Sequence, residues 1–96
     1  MSATNFKVFF TVDNTTSYTS SPIQRSLIQN RTVVFQATIP TGDTVVLQAR
    51  LDPSLPFVDV LTATDTNILQ EVVAAPEFRV VVTNTSTSSV IAALTI

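Results

Sequence analysis

This chain has no histidine, no cysteine and no tryptophan, and only one glycine, Gly42. Without histidine or cysteine it lacks the commonest general base, the commonest metal ligands and the strongest nucleophile. The missing cysteines also exclude a disulfide framework and a thiolate metal site, and fit synthesis in the cytoplasm. Charge is scarce: 12% of residues are charged, where about a quarter is usual. The five cations (Lys7, Arg25, Arg31, Arg50, Arg79) are scattered, and the net charge is −2, so no nucleic-acid partner is expected. No run approaches the roughly 18 apolar residues of a spanning helix, so no membrane partner is expected either. Met1-Ser2-Ala3-Thr4-Asn5 carries neither a basic nor a long apolar region, and no secretory signal is read there.

Apolar strand residues are abundant. Val80-Val81-Val82, Thr32-Val33-Val34-Phe35 and Val90-Ile91-Ala92-Ala93-Leu94 leave little room for a wet side. A strand alternates its side chains between two faces, so such runs imply burial on both. The 96 residues make one domain, 1–96, with a single modest core that is unlikely to cover all of this surface. Mean hydropathy is +0.38, and Ser and Thr supply about a quarter of the chain. Hydroxyls alone could keep such a surface wet. The favoured reading is a protomer whose second strand faces are covered in an assembly, because the apolar excess sits inside strands. Phe6, Phe9, Val34, Val46, Val81 and Ile91 are the interface candidates, and a homo-oligomer is expected.

Nearly every apolar segment has period two. Phe6, Val8, Phe10 and Val12 share one face of a first strand, and Lys7, Phe9 and Thr11 the other. The polar stretch 13–22 follows, expected as a long loop or arm, with 1–5 as a second candidate arm. Residues 23–28 allow a short strand. Strands 32–39 and 44–51 flank Pro40-Thr41-Gly42-Asp43, a turn signature, and are expected to pair as a hairpin. Asp52-Pro53-Ser54-Leu55-Pro56 breaks the ladder, since proline cannot donate to it. Further strands are expected at about 57–63, 68–74, 78–84 and 90–96. The fold class is therefore all-β: a single antiparallel β-sandwich, Ig-like or jelly-roll-like, of six to eight short strands with a polar N-terminal loop or arm.

Chemistry is thin. Asp52, Asp59 and Asp65 surround the proline-broken segment, but their spacing matches no metal loop, and solvated turn aspartates are the favoured reading. Glu77-Phe78-Arg79 opens a strand, with its two charges expected on opposite-facing neighbours rather than touching. Arg50 and Arg79 sit on Thr/Gln-rich faces and are expected to pair with an acidic neighbour rather than bind substrate. Asn14-Thr15-Thr16, Asn30-Arg31-Thr32 and Asn84-Thr85-Ser86 fit a glycosylation pattern that a chain rich in Asn and Thr produces by chance. Phe6, Phe9 and Phe10 lack the interleaved cations of a nucleic-acid platform and read as packing residues. No catalytic, metal or cofactor residues are assigned, and no enzyme is expected.

The second half has a cadence of its own. Asp43-Thr44-Val45-Val46-Leu47-Gln48-Ala49-Arg50-Leu51-Asp52 is followed by Pro56-Phe57-Val58-Asp59-Val60-Leu61. Ala75-Pro76-Glu77-Phe78-Arg79-Val80-Val81-Val82-Thr83 and Ser89-Val90-Ile91-Ala92-Ala93-Leu94 complete it. Over residues 32–96 this resembles the small β-sandwich modules of tailed-bacteriophage virion proteins. Phe57 stands where those modules commonly carry tryptophan, and their Gly-rich turns are missing. The resemblance implies a structural virion component, foremost a capsid decoration (cement) protein bound to the major capsid protein, as a trimer in preference to a dimer. A neck, tail or fibre-borne module is the alternative, and a carbohydrate-binding adsorption module a more distant one. The implied location is the virion, after synthesis in the host cytoplasm.

Overall fold

A computed structural model describes residues 7–12, 17–24, 32–64, 67–84 and 88–95, with the backbone alone at 7–10. The described residues form nine strands and no helix: β1 (Lys7–Val12), β2 (Ser17–Thr19), β3 (Ile23–Gln24), β4 (Val33–Thr38), β5 (Thr44–Arg50), β6 (Val58–Thr64), β7 (Asn67–Val72), β8 (Glu77–Thr83) and β9 (Val90–Thr95). They build two antiparallel sheets. The first has the order β1-β9-β4-β7; the second has β2-β8-β5-β6, with β3 also paired to β8. The molecule is a slab of 40 × 35 × 18 Å, the short dimension fitting two sheets about 10 Å apart.

The pairings nest. β1 pairs with β9, β2 and β3 with β8, β4 with β7, and β5 with β6. A long two-stranded ribbon, closed at its tip by residues 51–57, is thus rolled up so that successive stretches alternate between sheets. This is the jelly-roll arrangement of a β-sandwich.

Alternation in sequence fixes which side chains enter. Val33, Phe35 and Ala37 of β4, Val90, Ala92 and Leu94 of β9, Val45, Leu47 and Ala49 of β5, and Phe78, Val80 and Val82 of β8 are all buried in one core. Phe35, Leu47, Phe78 and Leu94 are its largest fully enclosed side chains. Each contributes about 1.5–3 kcal/mol relative to an exposed position. Ala63 and Ala75 fill the margin, and Ile23, Leu61, Ile68 and Val72 pack against it.

Two expectations need correction. Strands 32–39 and 44–51 do not form a hairpin. β4 is flanked by β9 and β7 in the first sheet, and β5 by β8 and β6 in the second. The turn between them is as expected locally: Asp43 N–H donates to Pro40 O at 3.1 Å, and Gly42 takes φ 91°. It carries the chain across the sandwich rather than back along the same sheet. The inward faces of β4 and β5 then bury each other, which a flat hairpin would leave to a third layer.

The stretch 13–22 is not all loop or arm. Ser17–Thr19 is an edge strand on β8, and the buried Ser20 extends it. Ser20 N–H donates to Val80 O, and Val80 N–H donates to Ser20 Oγ, both at 2.9 Å. A polar edge strand needs only backbone partners, and β8 supplies them. Residues 1–5 and 13–16 lie outside the described residues. Within 23–28 the described strand covers Ile23–Gln24 alone.

Within one chain, the outward-facing Val34, Val46 and Val81 are half-buried by their neighbours in the sheet, and Ile91 is 46% exposed.

Candidate functional site

The loop at the ribbon's tip, residues 51–57, is pinned to the outer face of the second sheet. Asp52 opens it: Ser54 donates to Asp52 Oδ2 from its N–H (2.9 Å) and from its hydroxyl. These two bonds, assisted by the Arg50 charge, hold the Asp52 carboxyl below its usual range. Leu55 N–H closes the turn on Asp52 O at 2.9 Å.

Farther on, the Arg50 and Arg79 guanidinium carbons lie 4.2 and 4.3 Å from the centre of the Phe57 ring. Arg50 is ion-paired through Nε with Glu77 across the β5–β8 ladder, and its Nη1 donates to Leu55 O at 3.4 Å. Glu77, although buried, also accepts from Gln24 Nε2 at 3.3 Å. The Arg50 bond is the main reason its carboxyl sits below the usual range. Arg79 donates to Gln48 Oε1 from Nε (2.8 Å) and Nη2 (2.6 Å), and Gln48 Nε2 donates to Asp59 Oδ1 at 2.8 Å.

One connected set, Gln24–Glu77–Arg50–Phe57–Arg79–Gln48–Asp59, therefore spans β3, β8, β5 and β6. Arg50 meets its acidic partner as expected. Arg79 takes an amide oxygen instead. Glu77 and Arg79 do not face opposite ways as expected: residues two apart on a strand share a face, both lie on the outer one, and Glu77 turns to Arg50.

This clip shapes an apolar groove. Leu51, Leu55 and Val58 on one side and Val73 on the other enclose about 490 Å³ over a floor of Ala49 and Ala75. Leu51 is 74% exposed, Val58 61%, Val73 57% and Leu55 48%. The groove lies on an open side of the sandwich, between the start of β6 and the chain leaving β7. Val60 is the extra residue of a bulge in β6, since Leu47 pairs with Leu61 and Gln48 with Asp59. The bulge bends this edge strand beside the groove and discourages further strands from adding to it.

A second surface is the outer face of the first sheet. Thr11, Ile91, Thr38 and Asn67 form one cross-strand row, and Ala93, Gln36 and Leu69 lie in the next. Thr95, Val34 and Glu71 form the third, where Val34 N–H donates to Thr95 Oγ1 at 2.8 Å. Leu69, 67% exposed, is the most open apolar residue there.

Of the sequence-derived interface candidates, Val34 and Ile91 lie on this face, and Val46 and Val81 lie on the outer face of the second sheet. Phe9 stands at the register position opposite Ala93. The Phe6 position and the Phe9 side chain lie outside the described residues. Sequence reasoning missed Leu51, Leu55, Val58 and Val73. Leu51 was hidden because the alternation carries the strand one residue beyond Arg50, where β5 ends; Leu55 did carry a signal, since a leucine inside a proline-broken loop has no local reason to be apolar.

Asp52 and Asp59 are occupied by Ser54 and Gln48, and Asp65 lies outside the described residues. No group of three or more metal-capable side chains occurs among the described residues. Asn84 is no open glycosylation site. It is buried, and its Nδ2 donates to Val12 O and Ser88 O at 3.0 Å each. What the arrangement offers is an apolar groove beside a polar clip, and a separate mixed face on the first sheet. No family model matches the chain, and no curated protein or solved structure was found to be similar to it.

Proposed function

We propose that the chain is a structural virion protein, a capsid decoration protein that binds the major capsid protein and stabilises the shell. The observation that carries this reading is the groove. Four large apolar side chains stand open to solvent around a small-residue floor, and a network of ion pair, amide bonds and stacked arginines fixes one of its walls. Exposed apolar surface gathered into one rigid depression is a docking place for protein. The rolled two-sheet architecture supports the reading by analogy only, since viral capsid domains use it and so do lectins.

Mechanically, each copy acts as a clamp. An interface removing about 800 Å² of apolar surface per copy gains roughly 20 kcal/mol gross at 25 cal/mol per Å². Association costs of about 4–15 kcal/mol leave a modest net affinity, which many copies on one shell multiply. The chain works as a homo-oligomer, bound to the particle and without catalysis. The carbohydrate alternative gains little from Phe57, whose ring is engaged by two guanidinium groups.

The test is co-sedimentation of the purified chain with empty shells of the major capsid protein encoded in the same genome. Wild type pellets at a fixed ratio to shell subunits. A Leu51→Asp/Val73→Asp variant with an unchanged far-UV spectrum stays in the supernatant. Wild type left in the supernatant sinks the reading; retention on isolated tails, or on glycan columns, selects one of the alternatives.

A further inference from the structure

We propose that the outer face of the first sheet is a self-association surface, on which a second copy of the chain docks face to face about a two-fold axis parallel to the strands. The proposal deepens the homo-oligomer part of the proposed function and rests on that part alone, independent of the shell.

The chemistry of the face is ordered in rows. Its interior columns, β9 and β4, carry Ile91, Ala93, Thr95, Val34, Gln36 and Thr38 and no charge. The charged positions stand at opposite edges of one row. Lys7 on β1 is in register with Thr95, and Glu71 on β7 is in register with Val34. Three strand spacings of about 4.8 Å separate them, some 14 Å, so within one copy they are more than a Debye length apart at ordinary salt.

A two-fold axis parallel to the strands keeps each row and exchanges β1 with β7 and β9 with β4. Position 7 of one copy then lies over Glu71 of the other, and position 9 over Leu69. Thr11 lies over Asn67 and Ile91 over Thr38. By register alone, the lysine position stands over a glutamate at one end of this pair of edges and Thr11 over Asn67 at the other. The other in-plane axis, perpendicular to the strands, lays position 7 over position 11 and leaves both charges unmatched. Charge therefore selects the first arrangement.

Size says how tight the pair is. Four strands about 4.8 Å apart and six residues long at about 3.4 Å give a face of roughly 400 Å². A pair buries about 800–1,000 Å² in total, at the lower limit for a specific interface. The association is therefore reversible and concentration-dependent. A pair, rather than the trimer implied by the sequence resemblance, is the unit this face builds.

The experiment is sedimentation equilibrium over micromolar to millimolar concentration, with far-UV circular dichroism as the check on folding. Wild type moves from the 10.4 kDa of one chain toward twice that mass. Lys7→Glu and Glu71→Lys each weaken pairing roughly fivefold, and the double exchange restores it to within about twofold. Restoration cannot arise within one copy, because the two positions are too far apart. Leu69→Asp, at a site open enough to spare the fold, remains at the single-chain mass and still pellets with shells. Wild type that stays at the single-chain mass throughout overturns the proposal. So do single variants that pair like wild type, a double exchange that fails to recover, and a Leu69→Asp chain that pairs normally. Shell binding is read separately, so failure of either reading shows by itself.

Discussion

Replacing Asn84 by alanine removes the side chain that ties the end of the first sheet to the end of the second. Its Nδ2 donates to Val12 O, at the end of β1, and to Ser88 O, just before β9, at 3.0 Å each. The Val12 bond is buried, so its carbonyl loses a partner with no water to replace it, at about 1–3 kcal/mol. The Ser88 bond is only partly buried, and the carbonyl can turn to solvent, at about 0.5–1 kcal/mol. The sum is about 1.5–4 kcal/mol, against a total of roughly 5–14 kcal/mol for a domain of this length. The variant therefore folds, with Tm lowered by at least about 6 °C. The chain has no tryptophan, so the assay is urea unfolding followed by far-UV circular dichroism at one fixed protein concentration. Thr62→Ala, at an exposed position of β6, serves as the control and changes stability by less than about 0.5 kcal/mol. An Asn84→Ala chain as stable as that control would refute the claim that this amide fastens the two sheets.

Glu77→Gln tests the clip through pH. The folded Glu77 carboxyl lies below its ordinary value of about 4.3, so its contribution is complete above that value and fades as pH falls through the lowered one. The Tm gap between wild type and Glu77→Gln is thus widest near neutrality, narrows as pH falls below the ordinary carboxylate value and closes once pH passes the lowered one; a gap independent of pH contradicts the assignment. Gly42→Ala places a β-carbon at φ 91° and lowers stability by about 1–2 kcal/mol in thermal melts, where an unchanged Tm argues against the turn. Phe57→Ala removes the ring that both arginines approach, at about 0.5–1 kcal/mol per contact, and opens residues 51–57 to limited proteolysis while the sheets stay protected. Equal cleavage rates for variant and wild type contradict the role given to the clip.

Strand positions were legible in the sequence because period two is a local signal. Val45, Leu47 and Ala49 alternate with Val46, Gln48 and Arg50, and burial follows that alternation along β5. Strand partners were not legible. A turn such as 40–43 looks the same whether the chain folds back in its own sheet or crosses to the other. The choice rests on β7, β8 and β9, the first of which begins only at Asn67, well beyond the turn. Ser17–Thr19 escaped because a polar edge strand carries no apolar alternation at all.

The outward parity of Val34, Val46, Val81 and Ile91 could be read directly. How exposed each is depends on its neighbours across the ladder, which the sequence does not order. The groove was hidden for a related reason. Leu51 and Leu55 belong to a loop, Val58 to an edge strand and Val73 to the chain leaving β7, and only the rolled ribbon brings them to one opening. The clip was half legible, since an arginine on a Gln/Thr face invites an acidic neighbour, but its centre on Phe57 depends on how the loop returns.

The measurement that bears most directly on the central claim is a cryo-EM reconstruction of capsid shells saturated with the chain. The account predicts added density at every symmetry-equivalent position, sized for a slab of 40 × 35 × 18 Å, with the 51–58 end against the shell. Shells without added density, or a slab standing on its opposite end, would contradict it.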